Sequence, residues 1–390
     1  MQPSDLTSAF RDRQARLAAW LARSEEHACV IEDFESQRNP NLRWLCGHPM
    51  DALLFVFASG DTVLVPWDVN MAEQWSVVGK IIPYTEFKRS FREAVSSVLR
   101  GHGMEAAVAG PGARRRVEFP RTTSHMRFLE LKEDLPGADI IVRSDGFESF
   151  TGKARAIKDA TEIRSLEKAA DVTNAILDTI TTMLTRPGGA DGVREIDMAQ
   201  LIQREAVSHG AEGTGFETLA AGPGRSWGIH AFPSSSAAAF ATQGLSILDF
   251  GVVIDGYTSD VTLTVARGSL SDGQETMVRL VTEAYETAVQ MAQPGVTPQA
   301  LGARVEQIFS AAGHAMPHSL GHGIGIETHE TPVLRSHGDM SDPPLSAGMV
   351  FTIEPGLYDP LHGGVRWEND VLITEKGARV LTRATIIRIP

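Results

Sequence analysis

Residues 245–268, LSILDFGVVIDGYTSDVTLTVARG, place two alternating apolar runs around Asp255-Gly256. An Asp-Gly pair in that setting is a strong signal for a two-residue β-hairpin loop. So short a loop leaves no slack in the register. Ile254 then pairs with Tyr257, Gly251 with Asp260, and Asp249 with Thr262. Asp249 and Gly251 share a strand face, so Asp249 and Asp260 are diagonal neighbours on that face, roughly 7–8 Å apart at the backbone. Carboxylates at that spacing can converge on metal ions about 3.5–4 Å apart. A single aspartate here reads equally well as a hairpin end facing solvent. Two on one face, one of them flanked by Leu248 and Phe250, argue against solvent. Asp255 is accounted for by the turn.

Three further groups lie in apolar surroundings: His322 in SLGHGIG, Glu354 in FTIEPG and Glu368 in VRWEND. Isolated buried carboxylates are expensive and persist when paired or bound to metal. Four carboxylates and one imidazole form an oxygen-rich set that suits two divalent cations and hydrolysis. A lone buried histidine is more often a satisfied core residue. Here His318, His322 and His329 cluster around a glycine-rich turn, which points to a site. Gly321, Gly323 and Gly325 are expected to let the backbone approach a metal or substrate closely. His314 and His337 read as loop residues without a role. MVFTIEPGLY and GGVRWENDVLI form another strand pair, joined by DPLHGG, a loop too long to fix the register. Pro355-Gly356 ends the strand of Glu354. Taken alone, Glu368 also reads as the partner of Arg366 in a surface ladder.

At 390 residues the chain is long enough for two domains. A net charge of −13 argues against a nucleic-acid or anionic-membrane surface. No apolar stretch of about 18 residues could span a membrane. Cys29 and Cys46 are too few for a disulfide framework, which points to a reducing, cytoplasmic compartment. The N-terminal segment is charged throughout and lacks a signal-peptide core. It reads as an amphipathic helix, with Leu6, Phe10, Leu17 and Leu21 on one side.

The first part reads as an α/β domain. HACVIE, DALLFVFAS and DTVLVPW are strands, the last two in a hairpin around Gly60-Asp61. A helix over TEFKRSFREAVSSVLRG stops at Gly101. A strand at EAAVAG, a helix near HMRFLELKEDLP and a strand at DIIVRS follow. Residues 153–158 read as a charged linker. Beyond it, helices are expected from Asp159, over REIDMAQLIQREAVSHG, QETMVRLVTEAYETAVQMA and TPQALGARVEQIFSAAG, mixed with hairpins. Without strict βαβ alternation, this half is α+β.

With these residues in place, the stretch from about 155 to 390 resembles the pita-bread metallopeptidase family. That family includes methionine aminopeptidase, prolidase and aminopeptidase P, with creatinase as a metal-free relative. The resemblance rests on Asp249, Asp260, His322 in GHGIG, Glu354 in TIEPG and Glu368 in a VRxE strand. The short interval from Glu354 to Glu368 is similar to the prolidase branch. NLRWLCGHPMDALLFVFASGDTVLVP is similar to a creatinase-type N-terminal domain, and AIKDATEIRSLEKAA to the family's linker helix. The resemblance implies a smaller α/β domain over 1–153 and a pita-bread catalytic domain over 154–390.

It also implies roles. Asp249 would bind one metal in bidentate fashion, Asp260 and Glu368 would bridge two, and His322 and Glu354 would complete the shell of the other metal. A metal-bridging hydroxide would attack the bond before proline, with Glu354 as general base. His329 would stabilise the tetrahedral intermediate, His230 would line the pocket, and His318 and Arg366 would position ligands or substrate. Mn(II) suits the oxygen-rich set best, with Co(II), Zn(II) or Fe(II) tolerated. A homodimer is implied. The chain departs from the family pattern at Asn369, Trp367, Leu263 and Trp227-Gly228-Ile229, and the two tryptophans are expected to narrow or reshape the pocket. A prolyl bond calls for a dedicated enzyme because its nitrogen carries no N–H. The alternatives are another small amide, a carboxypeptidase-like peptidase, or a non-catalytic binding protein. Loss of ligands would mark the last, and none is lost.

Overall fold

The computed structural model describes residues 3–35, 37–104, 114–338 and 341–390, the side chains of residues 3 and 4 left aside. The expected strand EAAVAG lies outside the described residues. The chain divides into two compact units, Met1–Ala154 and Arg155–Pro390.

The first unit is built on one mixed sheet. Its strands are β1 (Ala28–Asp33), β2 (Ala52–Phe57), β3 (Thr62–Pro66), β4 (Lys80–Ile81), β5 (Arg115–Glu118) and β6 (Ala138–Ile141), in the order β4-β3-β2-β1-β5-β6. β2 pairs antiparallel with β1 and β3, while the outer strands run parallel. Every residue of β2 is buried, so helices must cover both faces. Val95, Val98 and Leu99 of helix Phe91–Gly101 pack with Val30, Phe55 and Val63. The helix Pro3–Arg23 buries Phe10, Leu17 and Leu21. Gly101 is the last helical residue rather than the stop. The chain reverses at Gly103, where φ is +72°. That angle suits glycine, which lacks a Cβ.

This unit also hides a carboxyl pair. Glu118, 1% exposed, accepts the Phe147 N–H at 3.1–3.2 Å and lies beside the Glu26 carboxyl, with Arg143 bonded to Glu26 and 3.7 Å from Glu118. Burial first, then Glu26, pushes the Glu118 carboxyl up to about 8. Its folded-state pKa therefore lies above the ordinary 4.5 of an unfolded chain. Stability from this group is fully present below about pH 4.5 and is lost as pH rises through about 8. At about 1.4 kcal/mol per pKa unit, the fall is on the order of a few kcal/mol. Glu118→Gln should flatten the decline in urea-unfolding free energy between pH 5 and 8. An unchanged slope would count against the pair.

In the second unit, sheets stand between helix pairs. Helices Ala160–Thr185 and Glu195–Ser208 pack Ile176, Ile180, Met198 and Ile202 against Leu248, Phe250, Val261 and Leu263. Helices Asp272–Met291 and Pro298–Ala311 pack Met277, Val281, Val305 and Phe309 against Phe351, Ile353, Val371 and Ile373. The residues read as a linker span the division between the units, but they are not an exposed connection. Helix Phe147–Arg155 runs through 153–155, and Lys158 is buried. Asp159 then caps the next helix in a capping box with Glu162. Glu162 also accepts the Tyr257 hydroxyl at 3.0 Å, and Lys168 reaches Asp255 at 2.7 Å. The helix N-terminus thus holds the tip of the 254–257 turn in place.

Candidate metal centre

The first hairpin runs in the register its two-residue loop requires. Ile254 pairs with Tyr257, and Asp249 with Thr262. Pairing lapses midway, around Gly251 and Asp260. A Cβ on Gly251 would sit 1.8 Å from the Ser259 carbonyl, so only glycine fits there. The Asp260 N–H, released from the ladder, donates to the buried Asp370 carboxylate at 3.2–3.3 Å.

The second hairpin breaks in the same manner. Val350–Ile353 pairs with Asn369–Thr374, and Gly356–Asp359 with Gly363–Arg366. Ile353 faces Asn369 and Gly356 faces Arg366, so one register holds on both sides of the break and sets Glu354 opposite Glu368. Pro355 has no N–H with which to continue a ladder. The glutamates' own N–H groups turn outward, Glu354 to Leu320 O at 2.8 Å and Glu368 to Thr262 O at 3.1 Å. The second bond ties one hairpin to the other. Glu368 is 2% exposed, so it belongs to no surface ladder.

His322 sits on the short strand Gly321–Gly323, between Glu330–Leu334 and Val350–Ile353. Its flanking glycines serve strand packing rather than approach to a ligand. A Cβ on Gly321 would lie 2.0 Å from Thr352 O, and one on Gly323 would lie 2.1 Å from Thr331 O. The His322 Nδ1 is 3.2 Å from Gly323 O, which leaves Nε2 facing the acids. Nε2 is 3.4 Å from Glu354 Oε1 and 3.8 Å from Asp260 Oδ2. Asp260, His322 and Glu368 each offer a ligand atom within 4.8 Å of the others.

Asp249, Asp260, His322, Glu354 and Glu368 line one cavity of about 480 Å³, together with His230, His318, His329 and Arg366. Burial, then the neighbouring acids, holds Asp260 and Glu368 well above the usual carboxylate range. Burial lifts Glu354 to about 8, and it raises Asp249 despite the adjacent Arg366. Burial first pushes His318 and His322 down to about 4, which keeps both imidazoles neutral and leaves His322 able to ligate. So many acids around one fixed guanidinium call for added positive charge. Asp249 Oδ1 is buried without a hydrogen-bond partner among the described residues. The donor set and this orphaned oxygen both fit a bound divalent cation.

His318 bonds Ser319 O at 2.8 Å and the Tyr358 hydroxyl at 3.0 Å, and lies 3.9 Å from Glu354. The His329 ring packs 4.1 Å from that of His322, and His230 is exposed at the cavity wall. Trp227 and Trp367 do not shape this cavity. Trp367 stacks on Tyr285 at 4.1 Å, and Trp227 is about half exposed and bonds Gly224. Sequence reasoning missed Tyr358 and Thr262. Arg366 joins them: it donates to Thr262 Oγ1 at 2.9 Å, to Tyr358 at 2.8 Å and to Asp249. Thr262 also donates to Glu368 at 2.6 Å. The one available signal was Thr262's register partnership with Asp249. Arg366→Lys loses the planar fork that serves three partners at once. It should weaken metal affinity or lower activity about 10- to 100-fold, measured by Mn(II) titration and turnover. A wild-type value for both would refute the role.

Similarity to known proteins agrees with this geometry. The chain is 34% identical to the YkvY protein of Bacillus subtilis (strain 168), over 95% of this chain and 98% of that one. It is 34% identical to a Pyrococcus horikoshii Xaa-Pro dipeptidase, over 89% of this chain and 91% of that one. The solved Xaa-Pro dipeptidase of Bacillus anthracis superposes with a TM-score of 0.81 at 25% identity, covering 97% of this chain and 100% of that one. Residues 164–375 match the model of metallopeptidase family M24. The chain, with its pita-bread fold and its acid-lined cavity, belongs to metallopeptidase family M24.

Proposed function

We propose that the chain hydrolyses the bond before proline in dipeptides or short peptides, using two divalent metal ions held in the domain from 154 onward. The observation that carries this is the convergence of all five donors, with His230 and His329, on one cavity. The names of the similar dipeptidases support the substrate class. So does the apolar wall of Phe216, Leu219 and Ile229 beside His230, which suits a pyrrolidine ring.

Asp249 would hold one metal, Asp260 and Glu368 both, and His322 and Glu354 the other. Bound there, the cations supply a lowered pKa for water and polarisation of the scissile carbonyl. Glu354 takes a proton from the attacking water and passes it to the proline nitrogen, which must leave protonated. His329 and His230 offer N–H donors to the oxygen on which charge develops. Arg366 holds one Asp249 oxygen, which orients the other toward the cavity. His318 keeps its ring in place through Tyr358. The oxygen-rich donors favour Mn(II) over Co(II), Zn(II) or Fe(II). Among the described residues, no helix is long and apolar enough to cross a membrane. Cys29 and Cys46 are free and buried, which supports a cytoplasmic setting. The protein is proposed to be a homodimer, and a monomeric mass by light scattering at micromolar concentration would overturn this.

The test is hydrolysis after metal stripping and Mn(II) reconstitution, with Ala-Pro, Ala-Pro-Ala, Ala-Ala and N-blocked Ala-Pro. Cleavage of Ala-Pro alone means a dipeptidase. Cleavage of the tripeptide as well means an aminopeptidase, and of the N-blocked peptide a carboxypeptidase-like pocket. No cleavage with metal bound overturns the proposal.

A further inference from the structure

Behind the metal donors lies a second charged cluster that coordinates nothing in the cavity. Glu330 follows His329 in the chain and closes the ladder opposite Gly323, so residues 324–329 form the intervening turn. Thr328 and His329 line the cavity, whereas the Glu330 side chain is buried, at 2% exposure. Its Oε1 accepts Arg155 Nε at 3.1 Å and the Glu327 N–H at 3.3 Å, and its Oε2 accepts Lys158 Nζ at 3.2 Å. Arg155 also reaches the Glu327 carboxylate. The Lys158 side chain is completely buried. Its backbone is fastened separately, by an N–H to Gly348 O at 2.9 Å and by the neighbouring bridge Ile157–Met349. Gly325 makes room for the carboxylate, since a Cβ there would lie 2.5 Å from Glu330 Oε2.

Burying an ammonium and a guanidinium against carboxylates is weak evidence for stability, because desolvation consumes most of the attraction. What the cluster offers is geometry, because three donors hold the Glu330 carboxylate at once. What it fixes here is a six-residue turn, short enough that a shift at Glu330 moves His329 with it. Among the described residues the His329 ring has no hydrogen bond of its own, and it packs on the His322 ring at 4.1 Å.

We propose that Lys158 and Arg155 are positioning residues. By gripping Glu330, they hold the 324–329 turn so that His329 stays against His322 and presents its free nitrogen to the substrate. This rests on the reading of His329 as the group that meets the substrate. A displacement of about 1 Å at such a group can cost about 10²-fold in rate.

The experiment is a double-mutant cycle with the full-length, Mn(II)-reconstituted protein on Ala-Pro: wild type, Lys158→Met, His329→Ala and the double variant. Lys158→Met should lower kcat about 10²-fold, with bound metal and KM little changed. The double variant should be no slower than His329→Ala alone. An equal loss from Lys158→Met in the presence and absence of His329 would overturn the proposal, as would a wild-type kcat in either single variant. A crystal structure of Lys158→Met supplies a readout that needs no substrate. The His329 ring should leave His322, and an unmoved ring refutes the clamp even if Ala-Pro proves to be the wrong substrate. Should Lys158→Met fail to fold, Glu327→Gln removes only the partly exposed arm of the cluster. It should give a smaller loss, still coupled to His329, and an uncoupled loss rejects the proposal.

Discussion

Asp260→Ala should abolish both metal binding and turnover. Asp260 is the carboxylate with the most to lose: it lies 3.8 Å from His322 Nε2 and within 4.8 Å of a Glu368 oxygen, and it is 5% exposed. The neighbouring Asp370 carboxylate is already held by the Asp260 N–H. A shared donor lost from a two-metal site weakens both ions together. Charge stabilisation by the metals is worth several kcal/mol, which at about 1.4 kcal/mol per factor of ten means a loss on the order of 10³-fold or more. Elemental analysis and turnover at saturating Mn(II) provide the check. Asp260→Asn keeps the shape and separates loss of charge from loss of packing. Full activity in Asp260→Ala overturns the site assignment.

Removing metal should destabilise the second unit, Arg155–Pro390, and leave Met1–Ala154 unaffected. The five proposed donors come from three separate stretches, 249–260, 322 and 354–368, which the unfolded chain does not bring together. A cation bound only by the folded state stabilises it by about 2.7 kcal/mol at a hundred times Kd. For a unit of this size that corresponds to roughly 5–10 °C in Tm. Hydrogen exchange with and without chelator should place the lost protection on the strands Gly244–Phe250, Val261–Arg267, Val350–Ile353 and Asn369–Thr374. Protection lost equally from β1 and β2, or no loss anywhere, contradicts the prediction. The Asp260→Ala protein should show no response to chelator.

Much of this centre was legible in the sequence because local chemistry settled it. The Asp255-Gly256 turn allows one register, and that register alone sets Asp249 opposite Thr262. The second hairpin was illegible because its register depends on a longer loop and on a break at Pro355. The charged residues 153–158 do span the division between the units, but their burial was illegible for a physical reason: charge implies exposure until its partner is known. Glu330, the partner of Arg155 and Lys158, lies more than 170 positions away. Tyr358 could not be foreseen either, since one tyrosine in a strand carries no mark of the arginine and histidine it will join. Trp227 and Trp367 misled through size, because large side chains near a ligand in sequence need not border it in space.

The unbroken register across the gap at Glu354 and Glu368 makes the outer arm of that hairpin a module. The two glutamates stay opposite each other whatever the arm's reach, provided residues are added in facing pairs. Its base is fixed, because Tyr358 and Arg366 belong to the centre. At its tip Leu361 is 84% exposed, whereas His362 O accepts Gln274 Nε2 at 2.9 Å. A recognition peptide could be carried beside Leu361 as on a handle, with the metal content of the graft reporting whether the acids had felt it.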